Sequence, residues 1–510
     1  MILGDPSQAN SAAVPGGRAT IDDLFRHAVA RRPSAPALVD PPNRAVFTDG
    51  PPRRLSYAEA DRLVPGSAGR LRRLGLPTDA IVGIQLPNTV ESVLALLGVM
   101  RAGMIAAPMP VLWRRADLVT ALSRLGARAL ITCGRVGATD HVDLAMHAAA
   151  DIFAIRYLCA FGGTLPDGVI PFDDLYTTEI FEPPPPVERP GNPAAHVALV
   201  TWDAAADSLV PVARNHMEII AGGLAILLEG RFEQKAAFLS AIAPSSFAGV
   251  TLTMLPWLLT GGTLHLHHPF DPESLAAQLG HGCTAAILPG PVLPRLAEAG
   301  FFQNAKDLTA VLGLWRAPER LPAAAPWRDK DIAFLDVLAF GETCIIPMRR
   351  GPGGKPAPIP YGPVTAPRGA AGAILVAEMM RTEAGTIAVR GSMVPRHPFP
   401  PGAERGALPY FTSVKGMVDT GYTCRVERET RTLVVTGPPA GIVAVGGYRF
   451  PLHELQSLVA AAEGAGRLAV LPDALSGQRL AGSADDAAAV QAALTGRGVN
   501  PLVARAFAAP

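Results

Sequence analysis

The sequence predicts an α/β fold in which helices cover parallel sheets, followed by a part that is rich in β-structure. Apolar runs typical of buried strands alternate with helical patterns in residues 80–132 and again in residues 236–288, and this alternation favours parallel sheets with helices on both faces. From residue 372 to residue 445 the pattern changes to short β runs separated by glycine and proline. The chain has 510 residues, of which 49% are hydrophobic, so it can bury a large core and divide into more than one domain.

The N-terminal elements can be assigned in chain order. Capping-box spacing predicts that helices begin after Thr20 and after Ser56, and the pair Pro65 and Gly66 should interrupt the second helix early. The proline-rich residues 180–193 predict an extended linker.

Residues 196–223 form the central stretch of the sequence. An apolar run at 197–201 predicts a buried strand and residues 217–228 predict a helix, so residues 202–214 are predicted to be the loop between them. A loop that leads into a helix N-terminus commonly binds phosphate, because free backbone N–H groups and the helix dipole point at the anion. This loop contains neither glycine nor lysine, and Asp203 adds negative charge. The sequence therefore predicts the geometry of a nucleotide site without its chemistry.

The composition excludes several functional classes. With Lys+Arg 45 and Asp+Glu 44, the formal net charge of +1 gives no bulk electrostatic basis for binding nucleic acid. The five cysteines are dispersed and form no C-x-x-C pair, which favours a reducing compartment. We find no secretory signal and no apolar run of the ~18 residues that a membrane helix needs. The sequence therefore predicts a cytoplasmic protein without a membrane span.

Several segments, in order along the chain, resemble the adenylate-forming superfamily of acyl-CoA synthetases, luciferases and peptide-synthetase adenylation domains. They are LPNTVESVLALLGVMRAGMIAAPMP (residues 86–110), SAIAPSSFAGVTLTMLPWLLTGGTLHL (240–266), FGETC (340–344), TGY (420–422) and GPPAGIVAVGGYRFPLHELQ (437–456). The resemblance implies a large multi-sheet N-terminal domain with a distorted β-barrel part, residues 1–437, and a small, truncated α+β C-terminal domain, residues 438–510. It also implies a reaction in which ATP and a carboxylate form an acyl-adenylate that a thiol then captures.

The residues that the resemblance places around the nucleotide depart from the family pattern. The family's phosphate loop, T-S-G-T-T-G-x-P-K-G, corresponds to TWDAAADSLV at residues 201–210, where only Thr201 is retained. The Gly-Gly-Ala turn on which the adenine lies corresponds to Trp315, Arg316 and Ala317. Trp315 is therefore either a plug that fills the adenine site or an aromatic side chain that stacks on a ligand.

The remaining nucleotide motifs are altered as well. The family's Y-G-x-T-E becomes FGETC, which keeps Gly341 and Thr343, places Phe340 first, and puts Cys344 where a carboxylate would hold magnesium. T-G-D becomes T-G-Y, so Tyr422 replaces the carboxylate that accepts the ribose hydroxyls. The C-terminal catalytic lysine of the family has no counterpart. We expect these positions to form a vestigial nucleotide site.

The candidates for catalysis are few. Thr343, Cys344 and Glu342 are weak candidates: Cys344 could capture an acyl group if its pKa is lowered, but a buried inert cysteine is the simpler interpretation. Glu342 is either the carboxylate that remains in the site or a group that points to solvent. The resemblance implies that the acyl pocket and the pantetheine channel include Ser245, Ser246, Phe247, Gly249 and Gly447.

Two further motifs have a functional and a simpler interpretation. His265 and His267 would project from one face of a strand, but without a third ligand of suitable spacing we predict no metal site. The basic, glycine-rich residues 349–355 (RRGPGGK) could bind an anion such as a CoA phosphate, and a solvated surface loop is the alternative.

Three functions are compatible with the sequence. The first is a relative of acyl-CoA synthetases that no longer adenylates and binds an acyl or aryl group, or its CoA or acyl-carrier thioester; it requires no cofactor. The second is an active AMP-forming acyl-CoA or acyl-carrier ligase with a divergent site, which would need ATP, magnesium and CoA. The third is a non-catalytic scaffold that acts as a homodimer or with an intact partner enzyme.

Overall fold

The structure, a computed structural model, describes residues 17–177, 184–185, 187–189, 191–367, 372–395, 413–414, 416–462 and 466–508. Part of the predicted linker, residues 180–183, 186 and 190, lies outside the described residues. None of the helices in the described ranges has the length and apolar composition that crossing a bilayer requires.

The first sheet is parallel except at one edge. From edge to edge it contains β11 (Leu209–Asn215), β10 (Val197–Ala204), β4 (Ile105–Pro108), β3 (Ile81–Ile84), β5 (Ala129–Cys133), β8 (Tyr157–Phe161) and β9 (Val169–Pro171), of which β10 and β11 pair antiparallel. Alternate residues of β3 enter different hydrophobic clusters, Val82 and Ile84 in one and Ile81 in another. Both faces of the sheet are therefore covered, as the sequence predicts.

The second sheet is parallel in its centre and antiparallel at both edges. Its order is β17 (Cys344–Arg349), β16 (Ala333–Phe340), β15 (Ala310–Trp315), β14 (Ala285–Pro289), β12 (Ala237–Ser240), β13 (Thr263–Leu266), β1 (Pro36–Val39) and β2 (Arg54–Ser56). The carboxyl ends of β12, β14, β15 and β16 meet at one edge because these strands are parallel. The loops that follow them are the ones that contain the candidate site residues.

The third sheet is antiparallel and corresponds to the predicted β-rich part. Its order is β18 (Ile359–Pro360), β24 (Thr432–Gly437), β23 (Met417–Glu427), β21 (Thr386–Arg390), β20 (Ala373–Arg381) and β19 (Gly362–Pro367), with β22 (Ser413–Val414) on β23. A short hairpin joins β6 (Arg135–Val136) to β7 (Thr139–Asp140). The predicted α/β multi-sheet fold is confirmed.

The helices of the large part have the following bounds: α1 (Ile21–Arg31), α2 (Arg44–Phe47), α3 (Tyr57–Arg73), α4 (Val90–Arg101), α5 (Arg115–Leu125), α6 (His141–Ala150), α7 (His216–Gly230), α8 (Phe247–Thr253), α9 (Leu255–Thr260), α10 (Pro272–Leu279) and α11 (Leu293–Glu298). The capping boxes predicted at Thr20 and Ser56 are present. These caps fix the starts of α1 and α3.

The C-terminal residues build a core of their own. A sheet with the order β26 (Tyr448–Pro451), β25 (Ile442–Val445), β28 (Gly477–Ser483) and β27 (Arg467–Asp473) packs with α12 (Leu452–Ala460), α13 (Ala487–Gly496) and α14 (Pro501–Ala504). Their buried side chains, among them Phe450, Val490 and Phe507, form a separate hydrophobic cluster. A domain that begins at residue 438 is compatible with this cluster, and the boundary stays a proposal.

The predicted interruption of the second helix is wrong. Helix α3 continues through Pro65 to Arg73. Its small residues Ser67 and Gly66 are buried, and a Cβ added at Gly98 of α4 would lie 2.5 Å from the Ser67 hydroxyl oxygen. Close packing of α3 on α4 thus offsets the backbone hydrogen bond that the proline removes.

A buried histidine at the start of α7 makes stability depend on pH. The Nδ1 atom of His216 accepts the N–H of Ile21 at 3.2 Å, and burial lowers the pKa of His216 to about 4. The unfolded chain, in which a histidine has a pKa of about 6.5, therefore takes up the proton first. The contribution of this group to the free energy of unfolding is complete above about pH 6.5 and is lost as the pH falls towards 4.

We predict that His216→Asn, whose amide oxygen can accept the same N–H, reduces proton uptake on unfolding near pH 5 by about one proton. The measurement is the slope of the free energy of unfolding, from urea titrations, against pH between 4 and 6.5. His27→Asn, at an exposed position of α1, is the matched control. An unchanged slope in His216→Asn would contradict the prediction.

Candidate functional site

A cavity of about 300 Å³ lies at the carboxyl ends of β12, β14, β15 and β16. Loops from the C-terminal sheet, at residues 444–449 and 474–477, complete its wall. Eight predicted site residues line it: Ser245, Ser246, Trp315, Arg316, Ala317, Gly341, Glu342 and Gly447. The structure thus brings together residues from the predicted nucleotide site, acyl pocket and pantetheine channel.

The loop predicted at residues 202–214 is wrong, because this stretch is a β-hairpin. Strands β10 and β11 pair from Val197 opposite Asn215 to Ala204 opposite Leu209, and the tight turn between them is closed by a bond from the Ala205 N–H to the Ser208 carbonyl. Of residues 201–210, which the resemblance aligns with the phosphate loop, 201–204 and 209–210 are in strands. Val210 and Val212 of β11 are buried, and β-branched side chains favour strands.

The Asp203 carboxylate connects three parts of the molecule. It forms a salt bridge with Arg449 of β26 at 2.7 Å and accepts the N–H of Glu342 at 2.7 Å. Gly341 has a φ of 57°, and an added Cβ there would lie 1.9 Å from the Arg449 guanidinium. Only glycine allows the backbone to pass this close to the ion pair.

Glu342 is held in the wall rather than pointing to solvent. Its carboxylate accepts the N–H of Phe247 at 2.7 Å, while buried Arg214 donates to the carbonyls of Glu342 and Thr343. The Arg214 guanidinium also lies 3.7 Å from the centre of the Phe247 ring. Burial raises the pKa of Glu342, and the nearby positive charge of Arg214 opposes that rise. These contacts give Glu342 a structural role.

Cys344 is fully buried in β17, and burial raises its pKa to about 12. A thiol with this pKa is uncharged at neutral pH and is a poor nucleophile. Burial therefore favours the interpretation of Cys344 as an unreactive core residue over its interpretation as a nucleophile that captures an acyl group. Thr343 and Thr201 are buried as well, and neither lines the cavity.

Tyr422, which the resemblance places at the ribose-binding position, is part of the core. Its ring meets Phe340 edge to face at 5.3 Å between centroids, and burial raises its pKa to about 12. Neither ring lines the cavity. The two aromatic side chains therefore pack behind the site.

Trp315 is fixed in place by a buried ion pair. Its indole N–H donates to Asp336 at 2.8 Å, and Arg350 holds the same carboxylate through two bonds of 2.8 and 2.9 Å. A Cβ added at Gly290 would lie 2.5 Å from the indole ring. Trp315 thus forms a rigid wall of the cavity, and both interpretations of it remain compatible with this position.

Arg316 reaches from the predicted adenine shelf to the predicted acyl pocket. Its guanidinium donates to the Ser246 hydroxyl at 3.1 Å and passes Gly447, where an added Cβ would lie 3.4 Å away. Burial lowers the pKa of Arg316, and the negative charge of Glu342 opposes this effect. The two predicted subsites are therefore one continuous space.

Phe247 and Gly249, which the resemblance assigns to the acyl pocket, lie behind the cavity wall. Phe247 is fully buried, and a Cβ added at Gly249 would lie 2.1 Å from the Ala243 carbonyl oxygen. Neither residue lines the cavity.

Sequence reasoning missed the aromatic residues of the other wall. Trp113 and Trp202 meet edge to face with 6.0 Å between centroids, and Tyr448 packs against the cluster that contains them. All three line the cavity. Tyr448 follows Gly447 in a segment that the resemblance already singled out, whereas nothing in the sequence around Trp113 indicated a binding site.

The two other motifs have structural roles. His267 interacts through Nδ1 with Gln278 and through Nε2 with the N–H of Asp271. The described ranges contain no group of three histidine, cysteine or acidic side chains that could hold a metal ion. In residues 349–355, Arg350 is buried against Asp336. Because Arg350 already pairs with Asp336, this residue does not support the interpretation of residues 349–355 as an anion-binding loop.

Comparison with known proteins supports the resemblance and the fold. A family model described as AMP-binding enzyme matches residues 25–194. The fused adenylation-PCP di-domain NpsA-ThdA from Klebsiella oxytoca superposes with a TM-score of 0.66 and 18% identity over 96% of this chain and 92% of that one. Apo MbtA from Mycobacterium smegmatis gives a TM-score of 0.62 and 21% identity over 95% and 90%. The family model and the two superpositions support the resemblance of this chain to the adenylate-forming superfamily.

Curated members of the superfamily match shorter stretches. The salicyl-AMP ligase / salicyl-S-ArCP synthetase of Mycobacterium tuberculosis is 26% identical over 283 residues, which are 55% of this chain and 47% of that protein. The beauvericin synthetase BEA1 of Gibberella fujikuroi is 31% identical over 116 residues, which are 23% of this chain and 3% of that protein. The chain therefore spans less than half the length of either relative. The reaction type of the superfamily is AMP-forming ligation.

Proposed function

We propose that this member of the superfamily binds an acyl or aryl group, or its thioester, without efficient ATP-dependent adenylation. The observation that carries the proposal is the hairpin at the residues that the resemblance aligns with the phosphate loop, with Asp203 close to its turn. A phosphate loop binds its ligand through free backbone N–H groups. Here the ladder of β10 and β11 occupies most of that stretch, and Asp203 adds a carboxylate bound to Arg449.

The adenine shelf supports the same proposal. Trp315 and Arg316 place two large side chains where the family has glycines, and the Trp315 ring is fixed by Asp336. Cys344 and Tyr422, which replace carboxylates, are buried. Loss of a single group that stabilises transition-state charge typically lowers the rate by ~10²–10³. Several such losses in one site would reduce turnover below a useful rate.

The acyl side favours retained binding of a small ligand. The cavity of about 300 Å³ is at the lower end of the roughly 300–1,000 Å³ of ligand pockets. Aromatic and aliphatic side chains form much of its wall, among them Trp113, Trp202 and Leu314. This surface suits an acyl or aryl group.

The test combines calorimetry with a pyrophosphate assay on the full chain. We expect no heat of binding with ATP and magnesium, no pyrophosphate release above the blank with a panel of carboxylic acids that includes salicylate, and binding of at least one acid. Micromolar binding of ATP, or pyrophosphate release that depends on an acid, would contradict the proposal and favour the ligase alternative. Absence of any acyl, aryl or thioester ligand would favour the scaffold.

A further inference from the structure

The C-terminal unit, residues 441–508 as far as the structure describes them, contacts the large part at three separate places. These places are the β10–β11 hairpin, the segment that follows β15, and the start of α5. Each place has a polar contact: Arg449 with Asp203 at 2.7 Å, Arg320 with the carbonyl of Asp473 at 3.0 Å, and the N–H of Ala116 with the carbonyl of Gly498 at 3.1 Å. A rotation of the unit about any one of these contacts would displace the other two.

Three glycines of the unit with positive φ lie at the same three places. They are Gly441, Gly477 and Gly498, with φ of 74°, 81° and 67°. A Cβ added to each would lie 2.9 Å from a side-chain atom of the large part, in Ala206, Ala317 and Arg115 respectively. Carbon atoms in packed interiors stay roughly 3.5–4.0 Å apart. The backbone of the unit therefore lies directly against the large part, and no side chain would fit between them.

The connection that leads to the unit is short and rich in proline. Strand β24 ends at Gly437, and residues 438–440 (PPA) follow. Proline rings fix φ near about −65°, and a Cβ added at Gly421 of β23 would lie 3.0 Å from Pro439. A domain motion needs a few residues whose φ and ψ can change. Two prolines restrict those changes here, and one of them packs on β23.

Tyr448 of β26 packs across the boundary between the two parts. It contacts the hydrophobic cluster of the first sheet, which contains Trp113 and Trp202, and also the cluster of the C-terminal unit itself. Moving the unit away would return this apolar surface to water, which is unfavourable in proportion to its area. Relative motion is the usual expectation for two units that share one chain, and packing of this kind opposes it.

We propose that the C-terminal unit is held in one orientation and forms a permanent wall of the cavity. Its loops at residues 444–449 and 474–477, which line the cavity, then stay in place whether or not a ligand is bound. A site of fixed shape is preorganised, so binding loses little free energy to rearrangement of the walls. The inference goes beyond the proposed function, because it concerns the motion of the unit and applies to any ligand of the cavity.

The test measures the orientation of the unit by pulsed electron paramagnetic resonance on the full chain. Spin labels on Ala276→Cys of α10 and Ala488→Cys of α13, both at exposed positions, report the distance between the large part and the unit. The native cysteines are buried, so the labels react with the introduced thiols. A pair within the large part, Ala276→Cys with Ala150→Cys of α6, gives the width that the labels themselves cause.

We expect one distance between the two parts, with a distribution no wider than that of the control pair. Addition of ATP with magnesium, or of salicylate, should leave this distance unchanged. A second distance that exceeds ~5% of the population without any ligand would overturn the proposal and leave the proposed function standing. A change of distance that requires ATP and magnesium would contradict both.

Glycine variants test the contacts that hold the unit. Gly477→Ala and Gly498→Ala each place a methyl group 2.9 Å from the large part, and each should raise the population of a second distance above ~10%. Gly446→Ala is the matched control, because its φ of 60° causes a similar backbone strain while nothing lies within 4 Å of the added Cβ. We expect the wild-type distance in this control. The same second distance in all three variants would overturn the proposal, since strain alone would then release the unit.

Arg320→Met tests one contact without adding bulk. It removes the bond to the carbonyl of Asp473 and should also raise the population of a second distance above that of the wild type. Thermal unfolding identifies any glycine variant that fails to fold, in which case Arg320→Met decides the test. A wild-type distribution in Arg320→Met and in every folded glycine variant would show that these contacts do not hold the unit.

Discussion

Arg350→Met should lower the free energy of unfolding by about 3–5 kcal/mol, because it leaves a buried carboxylate without its counter-ion. Asp336 is fully buried, and Arg350 holds both of its oxygens, at 2.8 and 2.9 Å. The Arg350 guanidinium also lies 3.9 Å from the centre of the Phe334 ring. Urea denaturation at pH 7 measures the loss.

Two comparisons test the physical reason for that loss. The double variant Asp336→Leu with Arg350→Met should be less destabilised than Arg350→Met alone, because it buries no charge; the cost that remains comes from the Trp315 N–H, which loses its acceptor. Arg390→Met removes an exposed arginine from an ion pair with Glu378 at 2.6 Å and should cost less than about 1 kcal/mol. A similar loss in all three variants would contradict the explanation.

Arg449→Met should cost about 2–4 kcal/mol, because Asp203 is 3% exposed and would be left without a charged partner. The expected loss is smaller than for Arg350→Met, since the Arg449 side chain is 16% exposed and water can reach it. The variant should also loosen the contact between β26 and the β10–β11 hairpin. Limited proteolysis between residues 437 and 442 should accelerate together with the loss of stability measured in urea.

Arg425→Met is the matched control for Arg449→Met. Arg425 pairs with Glu427 at 3.3 Å on the surface, where the two side chains are 66% and 45% exposed. We expect a change within about 1 kcal/mol and no change in proteolysis. Faster proteolysis in the control, or unchanged proteolysis in Arg449→Met, would show that the Asp203 salt bridge does not hold β26.

Periodicity and capping predicted the sheets and most helices because they depend on local patterns and on burial of one face. The errors arose where contacts between residues far apart in the sequence determine the local structure. Pro65 stays within α3 because Ser67 packs against Gly98 of the neighbouring helix. This contact cannot be predicted from the local sequence. Residues 202–214 lack the Asn-Gly or Asp-Gly pair of a tight hairpin, so the hairpin was not expected.

For the site, motif matching named residues that meet in space but could not say which of them face the cavity. The orientation of Trp315 depends on Asp336 and Arg350, and the environment of Asp203 depends on Arg449 from the C-terminal sheet. Both arrangements join strands that are far apart in sequence. The hydrogen bond from Arg316 to Ser246 likewise joins segments that are far apart in the sequence.

The β10–β11 hairpin also limits how a phosphate-binding loop could be introduced in the laboratory. Introducing a lysine or a few glycines one at a time would leave the interstrand ladder intact, with the salt bridge of Asp203 still joining it to β26. We expect that such single changes fail and that only a graft replacing the whole of residues 201–210, made together with substitution of Arg449, would create a mobile, glycine-rich turn. On the proposed function, the paired backbone would oppose nucleotide binding together with the replaced side chains of the site.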